Sequence, residues 1–101
     1  MAKLIALYRH PPDTAAFESY YFSTHAALVR KLPGLKRFEV SRRPVASPQG
    51  TPYHFAAIME FDSIEALDAA MRSPEGQAAA ADVGRFAPAG TEVLVIDTKS
   101  I

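Results

Sequence analysis

Apolar and polar positions along the chain follow two different spacings, one typical of strands and one typical of helices. Strands are predicted where apolar residues alternate with polar ones or run continuously, over residues 2–9, 35–43, 53–61 and 91–97. Helices are predicted where apolar residues recur every three or four positions, over residues 13–31, from 64 onwards, and again after a break at Ser73-Pro74. The order is β-α-β-β-α-β, which predicts a ferredoxin-like α+β fold: a four-stranded antiparallel sheet with its helices on one face.

The first predicted helix has one apolar stripe, formed by Phe17, Tyr21, Leu28 and Leu32. Tyr20 flanks this stripe on one side and His25 on the other. Asp13 is expected to cap the helix, because its carboxylate can accept hydrogen bonds from the amides of the first turn. Pro33-Gly34 is expected to end it.

Cap residues also mark the two later helical segments. Asp62 and Glu65 have the spacing of a capping box, with an acceptor at the cap and a glutamate three residues on. Ser73 is expected to cap the last helix, with Pro74 in its first turn, where the missing amide costs nothing.

The predicted sheet has more apolar surface than its helices can cover. The first, third and fourth strands are apolar on both faces, whereas helices on one side bury only one face. A bare apolar sheet face normally marks an interface, so we expect a homodimer formed through this uncovered face. Whether the two sheets would close into a barrel or stack more loosely stays open.

Composition narrows the class of protein. The chain has 101 residues, 49% of them hydrophobic, which fits a single globular domain over residues 1–101. Its formal net charge of +0 argues against a nucleic-acid partner, which would favour clustered positive charge. Cysteine is absent, which excludes disulfides and thiolate metal sites. The short apolar run at the N-terminus predicts neither a membrane span nor a signal peptide, so a cytoplasmic location is expected.

A set of short motifs resembles the EthD family over nearly the whole chain. The motifs are LYRHPPD at 7–13, Phe17 with Tyr20-Tyr21 and His25, LPGL at 32–35, PYHF at 52–55, FDS at 61–63 and SPEGQAAAAD at 73–82. The resemblance implies a ferredoxin-like fold, homodimerisation as a dimeric α+β barrel, and no cofactor. It also implies an association with bacterial degradation of ethyl tert-butyl ether. Related fungal domains act on polyketide-derived phenolics as dehydratases or decarboxylases.

His25 is the first candidate for chemistry, as a general acid or base on the inward side of the first helix. Tyr21 is expected to act with it as a hydrogen-bond partner, and Tyr20 to contact a substrate. The structural alternative is that His25 is a half-buried histidine that bridges helix and sheet. No Ser/His/Asp arrangement or close carboxylate pair stands out in the sequence.

Further candidates come from the sheet and the core. His10 and His54 are expected at one edge of the sheet, with His54 lining a cavity and His10 in a surface loop. A metal site is not expected, because His25 would lie about 18 Å from that edge, at 1.5 Å per helical residue. Phe17 and Phe55 are expected first as core residues, and alternatively as the wall of an apolar substrate pocket.

Three functions remain open at this point. The first is a small cofactor-independent enzyme that acts on an apolar or aromatic oxygenated molecule, with His25 as acid or base. The second is a non-catalytic protein that carries a hydrophobic metabolite. The third is an accessory protein whose exposed face engages a partner enzyme.

Overall fold

The chain folds into one antiparallel sheet and a layer of helices, as a computed structural model of residues 1–101 describes it. The strands are β1 (Ala2–Arg9), β2 (Arg37–Val40), β3 (Tyr53–Phe61) and β4 (Glu92–Asp97). The helices are α1 (Thr14–Tyr20), a π-helical turn (Tyr21–His25), α2 (Ala26–Val29), α3 (Ile64–Arg72) and α4 (Pro74–Phe86). None of the helices has the length and apolar character needed to span a bilayer.

The sheet has the strand order β2-β3-β1-β4, with every neighbouring pair antiparallel. The central pair β1 and β3 is in register from Ala2 opposite Phe61 to Tyr8 opposite Phe55. The predicted ferredoxin-like α+β fold is therefore confirmed. β1 and β3 also have the predicted bounds.

The second strand is shorter than predicted, covering Arg37–Val40 instead of residues 35–43. Its backbone pairing with β3 continues one residue further at each end, through the Lys36 amide to the Glu60 carbonyl and the Ser41 amide to the Ala56 carbonyl. Beyond Ser41 the chain turns away from β3 into the loop that the proline-rich stretch predicted.

The first helix contains a π-helical turn that the apolar spacing did not reveal. In this turn the Ala26 amide donates to the Tyr21 carbonyl five residues earlier, which adds one residue to the turn. The buried side of the helix consequently moves by one position after it. Val29 is buried and Leu28 is only half-buried, so the predicted inclusion of Leu28 in the buried stripe was wrong.

The caps agree with the sequence at two of three helices. Asp13 accepts a hydrogen bond from the Ala16 amide at 3.0 Å, and Ser73 accepts one from the Gly76 amide at 3.1 Å. The predicted capping box at Asp62 was wrong. Ser63 caps α3 instead, because its extended backbone lets its hydroxyl accept from the amide of the third residue after it.

The core fills the space between the sheet and the helices. A cluster of aromatic side chains dominates one end of it, with ring centroids of Phe17, Tyr21 and Phe55 separated by 4.7 to 6.0 Å. Phe17 and Phe55, which are expected as core residues, are buried, and Phe38 and Phe86 are half-buried against the core. Edge-to-face aromatic contacts of this kind stabilise the packing beyond the area they bury.

The opposite side of the sheet has no helix over it. This uncovered face carries apolar side chains from the three strands β1, β3 and β4: Ile5, Leu7, Ala56, Ile58, Leu94 and Ile96. Strand β4 differs from the other strands, since all six of its residues are exposed.

Candidate functional site

A cavity of about 170 Å³ lies between the helices and the helix-facing side of the sheet. Its walls are almost entirely apolar, with contributions from Leu4 and Ala6 on β1, Met59 on β3 and Val29 on α2. Three of the lining residues carry a polar side-chain atom: Tyr8, Tyr21 and His25. The cavity is therefore a small apolar space with a few polar groups, the usual composition of a small-molecule site.

His25 occupies the last position of the π-helical turn and is 3% exposed. Its Nδ1 atom lies 2.9 Å from Oδ2 of Asp82, a carboxylate on α4 that is itself 1% exposed. The same carboxylate accepts a hydrogen bond of 2.7 Å from the Tyr20 hydroxyl through Oδ1. Asp82 thus joins α4 to both Tyr20 and the π-helical turn.

These contacts determine the protonation state of the pair. Burial would raise the pKa of Asp82, but hydrogen bonds from Tyr20 and His25 outweigh it and hold that pKa below its ordinary value. Burial lowers the pKa of His25, and this effect exceeds the opposite influence of the Asp82 hydrogen bond and charge. At neutral pH an ionised carboxylate therefore faces a neutral imidazole.

The tautomer of His25 follows from that arrangement. An ionised carboxylate can only accept hydrogen bonds, so Nδ1 of His25 carries the proton and donates it to Asp82. The other ring nitrogen, Nε2, is left with a lone pair. It has no hydrogen-bond partner within the chain, and the ring lines the cavity. The arrangement presents a base to anything that binds there.

Tyr21 supplies a hydrogen-bond donor beside that base. Its ring centroid lies 5.3 Å from that of His25, and its hydroxyl is buried without a partner. Burial, followed by the neighbouring Tyr8, raises the pKa of Tyr21, so the hydroxyl keeps its proton. A buried hydroxyl without a partner costs stability, and a bound ligand oxygen would satisfy it.

The remaining predicted site residues lie outside the cavity wall. The Tyr20 hydroxyl donates a hydrogen bond to Oδ1 of Asp82 and so helps to position the carboxylate that contacts His25. Phe17 and Phe55 belong to the aromatic core next to Tyr21, because both point between α1 and β3. The structure thus brings Tyr21 and His25 together in one cavity and leaves the two phenylalanines in the packing behind it.

His54 lies in a separate polar depression at the beginning of β3. Glu18, Ser41, Arg42 and Arg43 line it as well, and Nδ1 of His54 is buried there without a partner. His10 is exposed and its ring centroid is 4.9 Å from that of His54, which agrees with the predicted common edge. No group of three metal-ligating side chains comes together in the structure.

Asp82, the partner of His25, was not predicted from the sequence as a site residue, and neither was Tyr8, which lines the cavity. The available signal for Asp82 was its place in α4. It lies three residues after the buried Ala79 and four before the half-buried Phe86, on the inward side of an alanine-rich helix. The structural alternative for His25 also changes, because the side chain bridges two helices through Asp82 and not helix and sheet.

Comparison with known proteins identifies the family and the fold. The EthD domain family model matches residues 9–89. An uncharacterized 11.0 kDa protein of Rhodococcus erythropolis, from the thcB-thcC intergenic region, is 36% identical over 101 residues, 100% of this chain and 98% of that protein.

Solved structures agree with the family match. An ethyl tert-butyl ether degradation (EthD) family protein of Bacillus halodurans superposes with a TM-score of 0.89 at 41% identity, covering 98% of this chain and 99% of its own. A dimeric ferredoxin-like protein of unknown function from Thermobifida fusca has a TM-score of 0.71 at 20% identity, over 96% and 90% of the two chains. The latter similarity concerns the fold alone.

Proposed function

The chain belongs to the EthD domain family, and we propose that its cavity is the active site of a small cofactor-independent enzyme. The substrate would be a mostly apolar molecule with one oxygen function. The observation that carries this proposal is a pair of unpartnered polar groups on residues that line an apolar cavity: Nε2 of His25 as acceptor and the Tyr21 hydroxyl as donor. A single ligand oxygen with its neighbouring acidic proton satisfies both.

The proposed reaction type is proton transfer next to a carbonyl group. Nε2 of His25 takes the proton from the carbon beside the carbonyl, the electrons of the broken C–H bond form a C=C bond, and the π electrons of the carbonyl move onto its oxygen. The Tyr21 hydroxyl donates a hydrogen bond to that developing oxyanion. The imidazolium formed at His25 is stabilised by the Asp82 carboxylate at 2.9 Å. Return of the proton to the carbon completes the step.

Cavity size limits the substrate. An apolar cavity of about 150 Å³ in another protein accommodates benzene, so about 170 Å³ here fits one ring or a short branched chain. The Bacillus halodurans relative is described as an ethyl tert-butyl ether (EthD) family protein, which supports a small oxygenated substrate here. We therefore place the substrate among small carbonyl compounds and not among polycyclic molecules.

A non-catalytic role as a carrier of a hydrophobic metabolite is the second candidate. Its supporting observation is that twelve of the thirteen cavity-lining residues are hydrophobic, since such a wall binds apolar ligands without reacting with them. This candidate requires saturable binding without any proton exchange.

We also propose that the protein is a homodimer formed through the uncovered face. The apolar side chains of that face, with Ile5, Ile58 and Leu94 among them, lie in contact with solvent in a single chain. The Thermobifida fusca protein with the same fold is described as dimeric, which supports the same arrangement here.

Hydrogen exchange of a small ketone tests the enzyme proposal. Cyclohexanone is incubated with the protein in D₂O, and loss of the protons beside its carbonyl is followed by NMR. The wild type is expected to accelerate exchange, and His25→Gln to lose about 100-fold or more of that acceleration. Asp82→Asn is expected to reduce it too, because an amide can donate to Nδ1 and move the proton to Nε2.

His54→Gln is the matched control, because this histidine lies outside the cavity and should leave exchange unchanged. The acceleration should persist below pH 6.5, since burial lowers the pKa of His25 from that ordinary value and keeps the base unprotonated. Equal acceleration by wild type and His25→Gln would refute the role of His25. Saturable binding of cyclohexanone without exchange would support the carrier instead.

A further inference from the structure

Strand β4 is apolar on both sides and covered on neither. Val93 and Val95 are each 53% exposed, and Leu94 and Ile96 are 41% and 42% exposed. Four successive apolar residues are typical of a strand buried on both faces. A single chain of this protein buries neither face of β4, although β4 forms a complete ladder with β1.

The pairing register shows which side each residue takes. Val93 lies opposite Ala6 and Val95 opposite Leu4, both of which face the helices. Leu94 lies opposite Ile5, which belongs to the uncovered face. Directly paired residues in an antiparallel ladder point to the same side of the sheet. Val93 and Val95 are therefore on the helix side of the sheet, where no helix covers them.

The cavity opens at this same place. Val93 forms part of its wall, and the wall residues Ala80 and Val83 on α4 stand opposite. Ala80 is exposed, Val83 is half-buried and Val93 is exposed, whereas most of the remaining wall is buried. The mouth of the cavity is thus the gap between α4 and β4.

We propose that the second copy of this chain wraps around the edge of β4, covers Val93 and Val95, and closes the mouth of the cavity. The proposal rests on the homodimer proposed above and extends its interface. Contact between two uncovered faces buries Leu94 and Ile96 and leaves their neighbours Val93 and Val95 in water. Since the two pairs alternate along one edge strand, a partner seated on one pair lies directly beside the other. An edge strand left bare would also invite aggregation.

Ligand binding and dimerisation are then coupled. A ligand enclosed by the partner loses contacts when the dimer dissociates, so it binds the dimer more tightly than the single chain. By thermodynamic reciprocity the ligand strengthens the dimer by the same factor. The site is complete only in the dimer.

Glutamate substitutions on the two sides of β4 test the interface. Val95→Glu introduces a charge on the helix side without touching the cavity wall, and Leu94→Glu does so on the uncovered face. Both residues are exposed in the single chain, so the fold should tolerate the change, which circular dichroism checks. Phe22→Glu is the matched control, because Phe22 is a similarly exposed apolar residue, at 49%, that lies in the π-helical turn and not in the sheet.

Analytical ultracentrifugation measures the dimer dissociation constant. We expect Val95→Glu and Leu94→Glu each to raise it about 100-fold or more, since a two-fold interface buries the new charge twice. Phe22→Glu should leave it unchanged. A Val95→Glu variant that dimerises as tightly as wild type, or a wild type that is monomeric, overturns the inference.

Cyclohexanone binding at concentrations where wild type is dimeric measures the coupling. We expect at least about 10-fold weaker binding to monomeric Val95→Glu than to wild type, and equal binding overturns the coupling. If wild type binds no cyclohexanone, the proposed function fails. The ultracentrifugation result then decides, on its own, whether the partner covers the helix side of β4.

Discussion

A double-mutant cycle on His25 and Asp82 measures the contact on which the proposed base depends. The perturbations are His25→Ala, Asp82→Ala and the double variant, each compared with wild type in urea unfolding at pH 7. Both side chains are almost fully buried, at 4% and 1% exposure, and their atoms are 2.9 Å apart. A hydrogen bond to a charged group in such a setting contributes about 1.5–3 kcal/mol.

The magnitudes follow from what each variant leaves behind. His25→Ala leaves the buried carboxylate with the Tyr20 hydroxyl and a long contact to Arg85, so we expect a loss of about 3 kcal/mol, the lower end for a broken buried pair. Asp82→Ala leaves the Nδ1 proton of His25 unpaired, at a cost of about 2 kcal/mol. The double variant leaves neither group unpaired, so its loss of stability should be about 2 kcal/mol smaller than the sum of the two single losses.

The pH dependence gives the sign of the His25 contribution. Burial lowers the pKa of His25 below its ordinary 6.5, so the unfolded chain takes up a proton at higher pH than the folded one. This contribution to the free energy of unfolding is fully present above pH 6.5 and is lost as pH falls through the lowered pKa. The decline should be present in wild type and reduced in His25→Ala.

The cycle is run at one fixed protein concentration, because the proposed dimerisation would make apparent stability depend on concentration. A coupling energy below about 0.5 kcal/mol, the range of independent sites, would refute the reasoning. The carboxylate would then not fix the histidine tautomer, and the assignment of Nε2 as base would lose its support.

Two further substitutions probe the cavity and the joint between α3 and α4. Tyr21→Phe removes a buried hydroxyl without a partner, so it should raise the free energy of unfolding by about 1 kcal/mol and slow ketone exchange. A less stable variant would contradict this. Gly76→Ala should lower the free energy of unfolding by about 2 kcal/mol, because a Cβ there meets the Ala70 carbonyl and the Met71 backbone. The control Gly84→Ala has open space around it and should be neutral or stabilising. Equal urea midpoints for the two variants would contradict this.

Much of the fold was predictable because local signals agree with the final packing. The continuous apolar runs of β1 and β3 gave the correct bounds, and the Ser73-Pro74 pair gave the correct start of α4. Competition between adjacent cap residues was not predictable, since Asp62 and Ser63 both accept hydrogen bonds well. The backbone conformation of Ser63 decides between them, and that depends on where β3 ends.

The site was predictable only in part. The inward position of His25 and Tyr21 follows from helical spacing, because residues four apart lie on one side of a helix. The partner of His25, Asp82, lies 57 residues further along the chain, and no local pattern connects the two. The π-helical turn was also hidden, since its extra residue leaves only a one-position change between Leu28 and Val29.

The π-helical turn also affects how the length of the chain can vary. Removing one residue between 21 and 25 would take away the extra residue of this turn and restore a regular helix. Val29 would then follow Tyr21 by seven positions, close to two full turns at 3.6 residues per turn, and would still point inward. The loop at 41–52 connects two strands at the surface and can change length at little cost. Insertions and deletions among homologues should therefore collect in that loop, and a one-residue deletion in the π-helical turn should leave the buried positions after it unchanged.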